Sequence, residues 1–175
     1  MIAPEGGGRT LGVTIELPAD IRIQLDEVRQ RYGTHADDWA SHVTILAPIE
    51  ADDAVLVGVI DHLSRVAART RPIPMVLRGT GTFRPVSPVV FIAIADGISG
   101  CEQLEAAVRS GDLGVEARFP YHPHVTLVHG VSEELMDLAF REMAGYEAAF
   151  VAESMALHEN VDGSWRIIRE FRFSA

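Results

Sequence analysis

Two stretches decide how this chain is read: His42-Val43-Thr44-Ile45 and His124-Val125-Thr126-Leu127. Each is a short β-prone run with histidine first, threonine third and apolar residues between and after. Alternate side chains of a strand share a face. His42 and Thr44 therefore point one way while Val43 and Ile45 point into the packing. The same holds for His124 and Thr126 against Val125 and Leu127.

The surroundings of the two stretches also correspond. Leu11–Leu17 reads as a strand ended by Pro18, and Ile21, Leu25, Val28 and Tyr32 then recur at helical spacing up to Gly33. Ser41–Ala47 follows as a short strand stopped by Pro48. Asp52 and Asp53 open a helix with Leu56, Val59, Ile60, Leu63, Val66 and Ala67 on one stripe, ended by Pro72, and Ile73–Phe83 is a glycine-containing strand. The order then recurs. Val89–Ala95 is an apolar strand suited to a sheet interior, and Ser99 with Glu102 has capping-box spacing ahead of Cys101, Leu104 and Val108. His124–His129 is the short strand, and Ser132-Glu133-Glu134 opens a helix with Leu135, Leu138, Ala139 and Met143 inward. Strands at Ala148–His158 and Trp165–Phe173, joined by a turn at Asp162-Gly163, complete the chain.

This duplication predicts one α+β domain over residues 1–175, with lobe-forming repeats at about 11–83 and 88–173 and a flexible tail at 1–10. Two antiparallel or mixed sheets would line a central cleft, with helices outside and a pseudo-twofold axis between the lobes. That axis would bring the two His-Thr pairs face to face.

Composition narrows the functions. The 175 residues carry a net charge of −10, and all 15 basic residues are arginine. A protein that grips long nucleic acid shows a basic face, because phosphate contacts dominate that affinity. The charge therefore argues against a duplex binder and for a small ligand or the end of an RNA chain. No apolar run reaches membrane length, and the N-terminus lacks the basic start and apolar stretch of a signal peptide. A single cysteine, Cys101, excludes an intrachain disulfide framework and reads as a buried core thiol. The expectation is a cytoplasmic monomer.

Two imidazoles and two hydroxyls across a cleft suit phosphodiester chemistry. One imidazole can activate the attacking oxygen while the other protonates the leaving oxygen. The threonine hydroxyls can bond the non-bridging oxygens as charge develops. Such a pair needs no metal and no other cofactor, and gives a bell-shaped pH dependence with an optimum near about 6.5. The near-symmetry of the two motifs leaves open which histidine is acid and which is base.

Further segments carry a family resemblance. Met75-Val76-Leu77-Arg78-Gly79-Thr80-Gly81-Thr82-Phe83, the following Ser87-Pro88-Val89-Val90-Phe91-Ile92-Ala93-Ile94, and Phe119-Pro120-Tyr121-His122-Pro123-His124-Val125-Thr126-Leu127 resemble the strands and second motif of the 2H phosphoesterases, the LigT-like or 2′-5′ RNA ligase-like superfamily. The resemblance implies catalytic roles for His42 and His124 and phosphate-binding roles for Thr44 and Thr126. It also implies hydrolysis of 2′,3′-cyclic phosphates or 2′-5′ phosphodiesters, reversible as 2′-5′ RNA ligation. Ala47-Pro48-Ile49 stands where RNA-ligase-like members often carry Phe-Leu-Gly, which leaves the substrate unassigned.

Trp39 and Tyr121 precede the two motifs and are candidates to stack on a base. Arg84 is a candidate phosphate contact, and His122 shares an alternating face with His124. His35, His62 and His158 have no evident chemical role. Two other readings compete: a non-catalytic nucleotide-binding or adaptor domain, and a metal-dependent hydrolase built on His122 and His124. The latter leaves His42-Val43-Thr44 unexplained, and no acidic or cysteine ligand stands at a telling spacing.

Overall fold

The computed structural model describes residues 8–34, 39–111, 113, 116 and 119–175. The chain runs β1 (Arg9–Glu16), α1 (Ala19–Arg31), β2 (His42–Ala51), α2 (Leu56–Ala68), β3 (Ile73–Thr82), β4 (Val89–Asp96), α3 (Ile98–Arg109), β5 (His124–His129), α4 (Glu133–Glu142), β6 (Glu147–Ala152), β7 (Ser154–Val161) and β8 (Ser164–Arg172). Of the tail expected at 1–10, residues 9 and 10 belong to β1, and 1–7 lie outside the described residues.

The fold is α+β, as expected, but the two sheets are joined. Eight strands form one antiparallel sheet in the order β6-β3-β4-β5-β2-β1-β7-β8. Its two four-stranded halves meet at the backbone pair Val43↔Val125 between β2 and β5. Nor do the halves coincide with the sequence repeats. β3, the last strand of the first repeat, pairs with β4 and β6, while β7 and β8 complete the half that holds β1 and β2. The physical reason is local closure: β3 and β4 are separated by a short connection, and a hairpin between neighbours in sequence costs the least chain entropy.

The long apolar run expected as one strand at 148–158 is two strands broken at Glu153. β6 stands first in the sheet and β7 seventh. In a flat sheet they would lie about 29 Å apart at the usual strand spacing, whereas the step across one residue spans at most about 7 Å. The sheet must therefore curl until Ala152 and Ser154 meet.

β2 also runs further than expected, through Pro48 to Ala51. Leu11 pairs with Ile49 and Val13 with Leu46, so Ala47 and Pro48 together oppose Gly12 in a bulge. A bulge is where a strand tolerates a residue without an N–H. α3 differs in its start. Gly97, at φ +98°, is its N-cap, and Ser99 lies inside the first turn without a capping bond. The Ser99–Glu102 capping box does not form; the Ser99 hydroxyl instead accepts from Gln103 Nε2 at 3.1 Å. Ser132 does cap α4, accepting from the Leu135 amide.

Leu25, Leu63, Leu104 and Met136, one from each helix, join Val43, Ile45, Val125 and Leu127 in one buried core. Each such side chain contributes roughly 1.5–3 kcal/mol relative to exposure. Among the described residues no helix is long and apolar enough to cross a membrane.

Candidate active site

The packing that buries the valines of β2 and β5 turns the other face of both strands outward. Val43 and Val125 are fully buried, while His42, Thr44, His124 and Thr126 are partly exposed, in the same alternating pattern in each strand. Stepping one residue either way from the antiparallel pair Val43↔Val125 sets His42 beside Thr126 and Thr44 beside His124. The two motifs thus converge at the seam between the halves of the sheet.

Each imidazole is tethered in the same way. Nδ1 of His42 donates to the Ala40 carbonyl at 2.6 Å, and Nδ1 of His124 donates to the His122 carbonyl at 2.7 Å. A carbonyl only accepts, so both rings carry their proton on Nδ1 and present Nε2 for chemistry. The Thr44 hydroxyl lies 3.1 Å from His42 Nε2. Burial pushes the His42 pKa down to about 4, against the opposing pull of the Ala40 carbonyl and the Glu16 carboxylate. Burial also lowers that of His124, against the pull of the His122 carbonyl. The neutral forms are favoured more strongly than for free imidazoles, which moves the expected pH optimum.

The environments of the two rings differ. His42 packs against Trp39, with ring centroids 4.3 Å apart, and Trp39 stacks on Trp165 at 3.9 Å. Gly12 makes room: a Cβ there would stand 2.7 Å from the Trp39 ring. His124 packs against Phe83 and Phe91 at 4.9 and 5.1 Å. Gly81 makes room for Phe91, which a Cβ would meet at 2.4 Å.

A cavity of about 690 Å³ opens on the His124 side of the seam, lined by Thr44, Phe83, Tyr121, His122 and His124 among others, while His42 and Thr126 stand outside its lining. The Tyr121 hydroxyl donates to the Thr44 carbonyl at 2.8 Å, so its ring frames the cavity and ties the loop before β5 to β2. His122 lies on the same wall, its ring 6.3 Å from that of His124. Arg84 is engaged elsewhere: its guanidinium bonds Glu133 at 2.7 Å and Asp137 at 2.9 Å on α4. Among the described residues no group of three His, Cys, Asp or Glu side chains is gathered as metal ligands. His62 bonds the carbonyls of Ala107 and Val108 on α3, and His35 lies outside the described residues.

The sequence reading missed what stands behind His42. Glu16 is its cross-strand partner on β1, and Thr14 is that of Thr44. The Thr14 hydroxyl donates to Glu16 at 2.6 Å, and Nε2 of the buried His158 lies 2.9 Å from Thr14 Oγ1 and 3.0 Å from Glu16 Oε1. The signal available was polar residues at period two, Thr14 and Glu16, within an apolar strand; their partner on β7 required the sheet order.

The family model described as the 2′-5′ RNA ligase superfamily matches residues 17–164. A Geobacillus kaustophilus protein provisionally named a phosphoesterase is 26% identical over 170 residues, covering 91% of this chain and 94% of that one. A similarly named Bacillus cereus protein is 26% identical over 165 residues, covering 93% and 95%. Among solved structures, E. coli LigT complexed with 3′-AMP superposes with a TM-score of 0.75 at 21% identity, covering 96% of this chain and 99% of LigT. A Thermus thermophilus protein superposes at 0.68 and 21% identity, covering 94% and 97%. These likenesses establish the fold. With its model matched over most of the length, the chain belongs to the 2′-5′ RNA ligase superfamily, the 2H phosphoesterases.

Proposed function

We propose that this protein is a metal-independent phosphodiesterase acting on RNA ends or small nucleotides, with His42 and His124 as its acid–base pair. The reaction is hydrolysis of a 2′,3′-cyclic phosphate, or cleavage of a 2′-5′ phosphodiester by the neighbouring 3′ hydroxyl to a 2′,3′-cyclic phosphate and a free 5′ hydroxyl, and the reverse of that cleavage is 2′-5′ ligation. The observation that carries this reading is the pair of imidazoles tethered through Nδ1, each with a threonine of the other motif beside it.

With phosphorus between the rings, one Nε2 takes the proton of the attacking water or hydroxyl, and the other gives a proton to the departing ribose oxygen. Thr44 and Thr126 donate to the non-bridging oxygens, where negative charge grows. The Thr44 hydroxyl, which bonds His42 Nε2 in the free protein, turns to the phosphate when substrate arrives. Proton transfer and charge stabilisation are both met by side chains, without a Lewis acid. Membership of a phosphoesterase family and the 3′-AMP, NADP+ and ATP complexes of E. coli LigT support a small nucleotide as the ligand class. The net charge of −10 supports work on chain ends rather than on long duplexes.

The test is a product-resolved screen of RNA 2′,3′-cyclic phosphates, 2′-5′-linked oligonucleotides, ADP-ribose 1″,2″-cyclic phosphate and small cyclic nucleotides in excess EDTA. Turnover survives the chelator, and His42→Ala or His124→Ala each lowers kcat by roughly 10²–10⁴-fold, the usual contribution of a positioned acid or base. Binding of these ligands without turnover would favour an adaptor domain instead. Activity lost to chelator and restored by a divalent ion would favour the metal reading.

A further inference from the structure

The two histidines of the site are bound alike but are not equivalent. Across the strand pair from His124 stands Ala93, and the ring is bounded by Phe83 and Phe91. Across from His42 stands Glu16. Same-face neighbours on adjacent antiparallel strands have Cβ atoms about 5 Å apart, so a charge on one is felt by the other. The Glu16 carboxylate is held from behind by the Thr14 hydroxyl and by Nε2 of His158. Thr14 and His158 are themselves almost fully buried, at 0% and 4% exposure. A buried threonine and a buried histidine bonded to one partly exposed carboxylate restrict the rotamers of all three. These bonds also hold Glu16 in its ionised form, lowering its pKa against the effect of burial.

The other charged groups near His42 act in the opposite sense. His158 on β7 and Arg29 on α1 both disfavour a proton on the His42 ring, and Glu16 favours it. Arg29 is itself paired with Asp26 at 3.2 Å and bonds the Trp39 carbonyl and Ser41 Oγ. Whichever role His42 takes, acid or base, its imidazole must be an imidazolium at one stage of the cycle. Because burial already disfavours the charged form of this ring, that cation is stabilised by a nearby anion.

We propose that Glu16 is a positioning residue for His42, locked by Thr14 and His158 so that its carboxylate supplies the counter-charge for the imidazolium that His42 becomes during the reaction. The proposal rests on the acid–base reading of the His42–His124 pair. Among the described residues no carboxylate is placed against His124 in this way, so the two halves of a duplicated site carry different electrostatic loads. Gln at position 16 keeps an oxygen to accept from Thr14 and His158 and removes the charge alone.

The experiment compares wild type, Glu16→Gln, Glu16→Asp, His42→Ala and the double variant Glu16→Gln/His42→Ala, each checked for native circular dichroism. For Glu16→Gln, kcat falls about tenfold while KM changes less than about twofold. One limb of its pH–kcat profile moves to lower pH by about one unit, the other staying in place. Glu16→Asp, which keeps the charge, moves that limb by less. On the His42→Ala background, Glu16→Gln causes no further loss. The proposal is overturned if Glu16→Gln leaves both limbs in place, or if its full loss recurs on the His42→Ala background. Should Glu16→Gln lose the native fold, Glu16→Asp decides: a loss as large as that of His42→Ala, with neither limb moved, overturns the proposal. The two levels separate cleanly. Wild-type turnover in His42→Ala removes the acid–base reading and this proposal with it. An inactive His42→Ala beside an unaltered Glu16→Gln removes the proposal alone.

Discussion

Both imidazoles of the site are bonded at Nδ1 to a carbonyl two residues earlier in the chain, and both lose affinity for a proton through burial. The consequence is kinetic. The profile of kcat/KM against pH reports the free enzyme's acid and base, and both groups here titrate below the usual histidine value. The optimum of kcat/KM should therefore lie below about 6.5, the value for an unperturbed pair. The optimum of kcat should lie higher, because a bound phosphodiester anion stabilises the imidazolium. An optimum of kcat/KM above neutrality would contradict this order. At this scale the sequence was legible where it repeated itself: His42, Thr44, His124 and Thr126 were found by duplication, and the structure brings them together. Glu16 and His158 occur once each, in different strands, so no repeat marked them. Arg84 looked free in the sequence because Glu133 and Asp137 come near it only through the packing of α4.

The helices and strands were largely readable from apolar spacing and breakers, but on α4 Leu135 and Leu138, expected inward, are exposed while Met136 and Ala139 are buried. Pro48 marks a bulge rather than the end of β2, since the residues it displaces oppose a glycine. Ser99 and Ser132 each precede an acidic or apolar helical run, yet only Ser132 accepts a backbone amide. Ser132→Ala should therefore cost about 0.5–1 kcal/mol, the lower part of the range for a lost N-cap. Ser99→Ala should be close to neutral, and urea unfolding of the two variants measures the difference. An equal cost at both positions would mean that α3 begins later than Gly97. Spacing alone gave Ser99 a capping box because Glu102 follows it. What decides is the backbone at Gly97, whose φ of +98° places the helix start before Ser99.

For the whole molecule, the cost of burying neutral histidines appears in its stability. The folded His42 has a pKa of about 4, while the unfolded chain takes up that proton near 6.5. Between those values the unfolded state binds more protons, so stability falls as pH falls. The contribution is fully present above about 6.5 and lost progressively toward 4, amounting to about 3 kcal/mol. His124 acts in the same direction. Glu16, whose folded pKa is lowered, adds a loss only below the ordinary carboxylate range. The urea midpoint should thus be flat from about pH 8 to 7 and decline from about 6.5, with a shallower decline in His42→Ala. A flat midpoint down to pH 4.5 would mean that His42 gains its proton as readily folded as unfolded.

The sequence by itself determined the elements, the α+β class and the two His-x-Thr motifs, because each follows from local periodicity or from the chain's resemblance to itself. Only the tertiary structure decided which strands are neighbours. β3 crossed to β4, and β6 and β7 separated at Glu153 to opposite sides of a curled sheet. Beyond hairpins such as β3–β4, strand pairing depends on which edges remain free once the rest of the chain has packed, which no window of residues contains. The same order set Glu16 and His158 behind His42 and two phenylalanines around His124. A motif repeated in sequence thereby became two chemically different histidines in space.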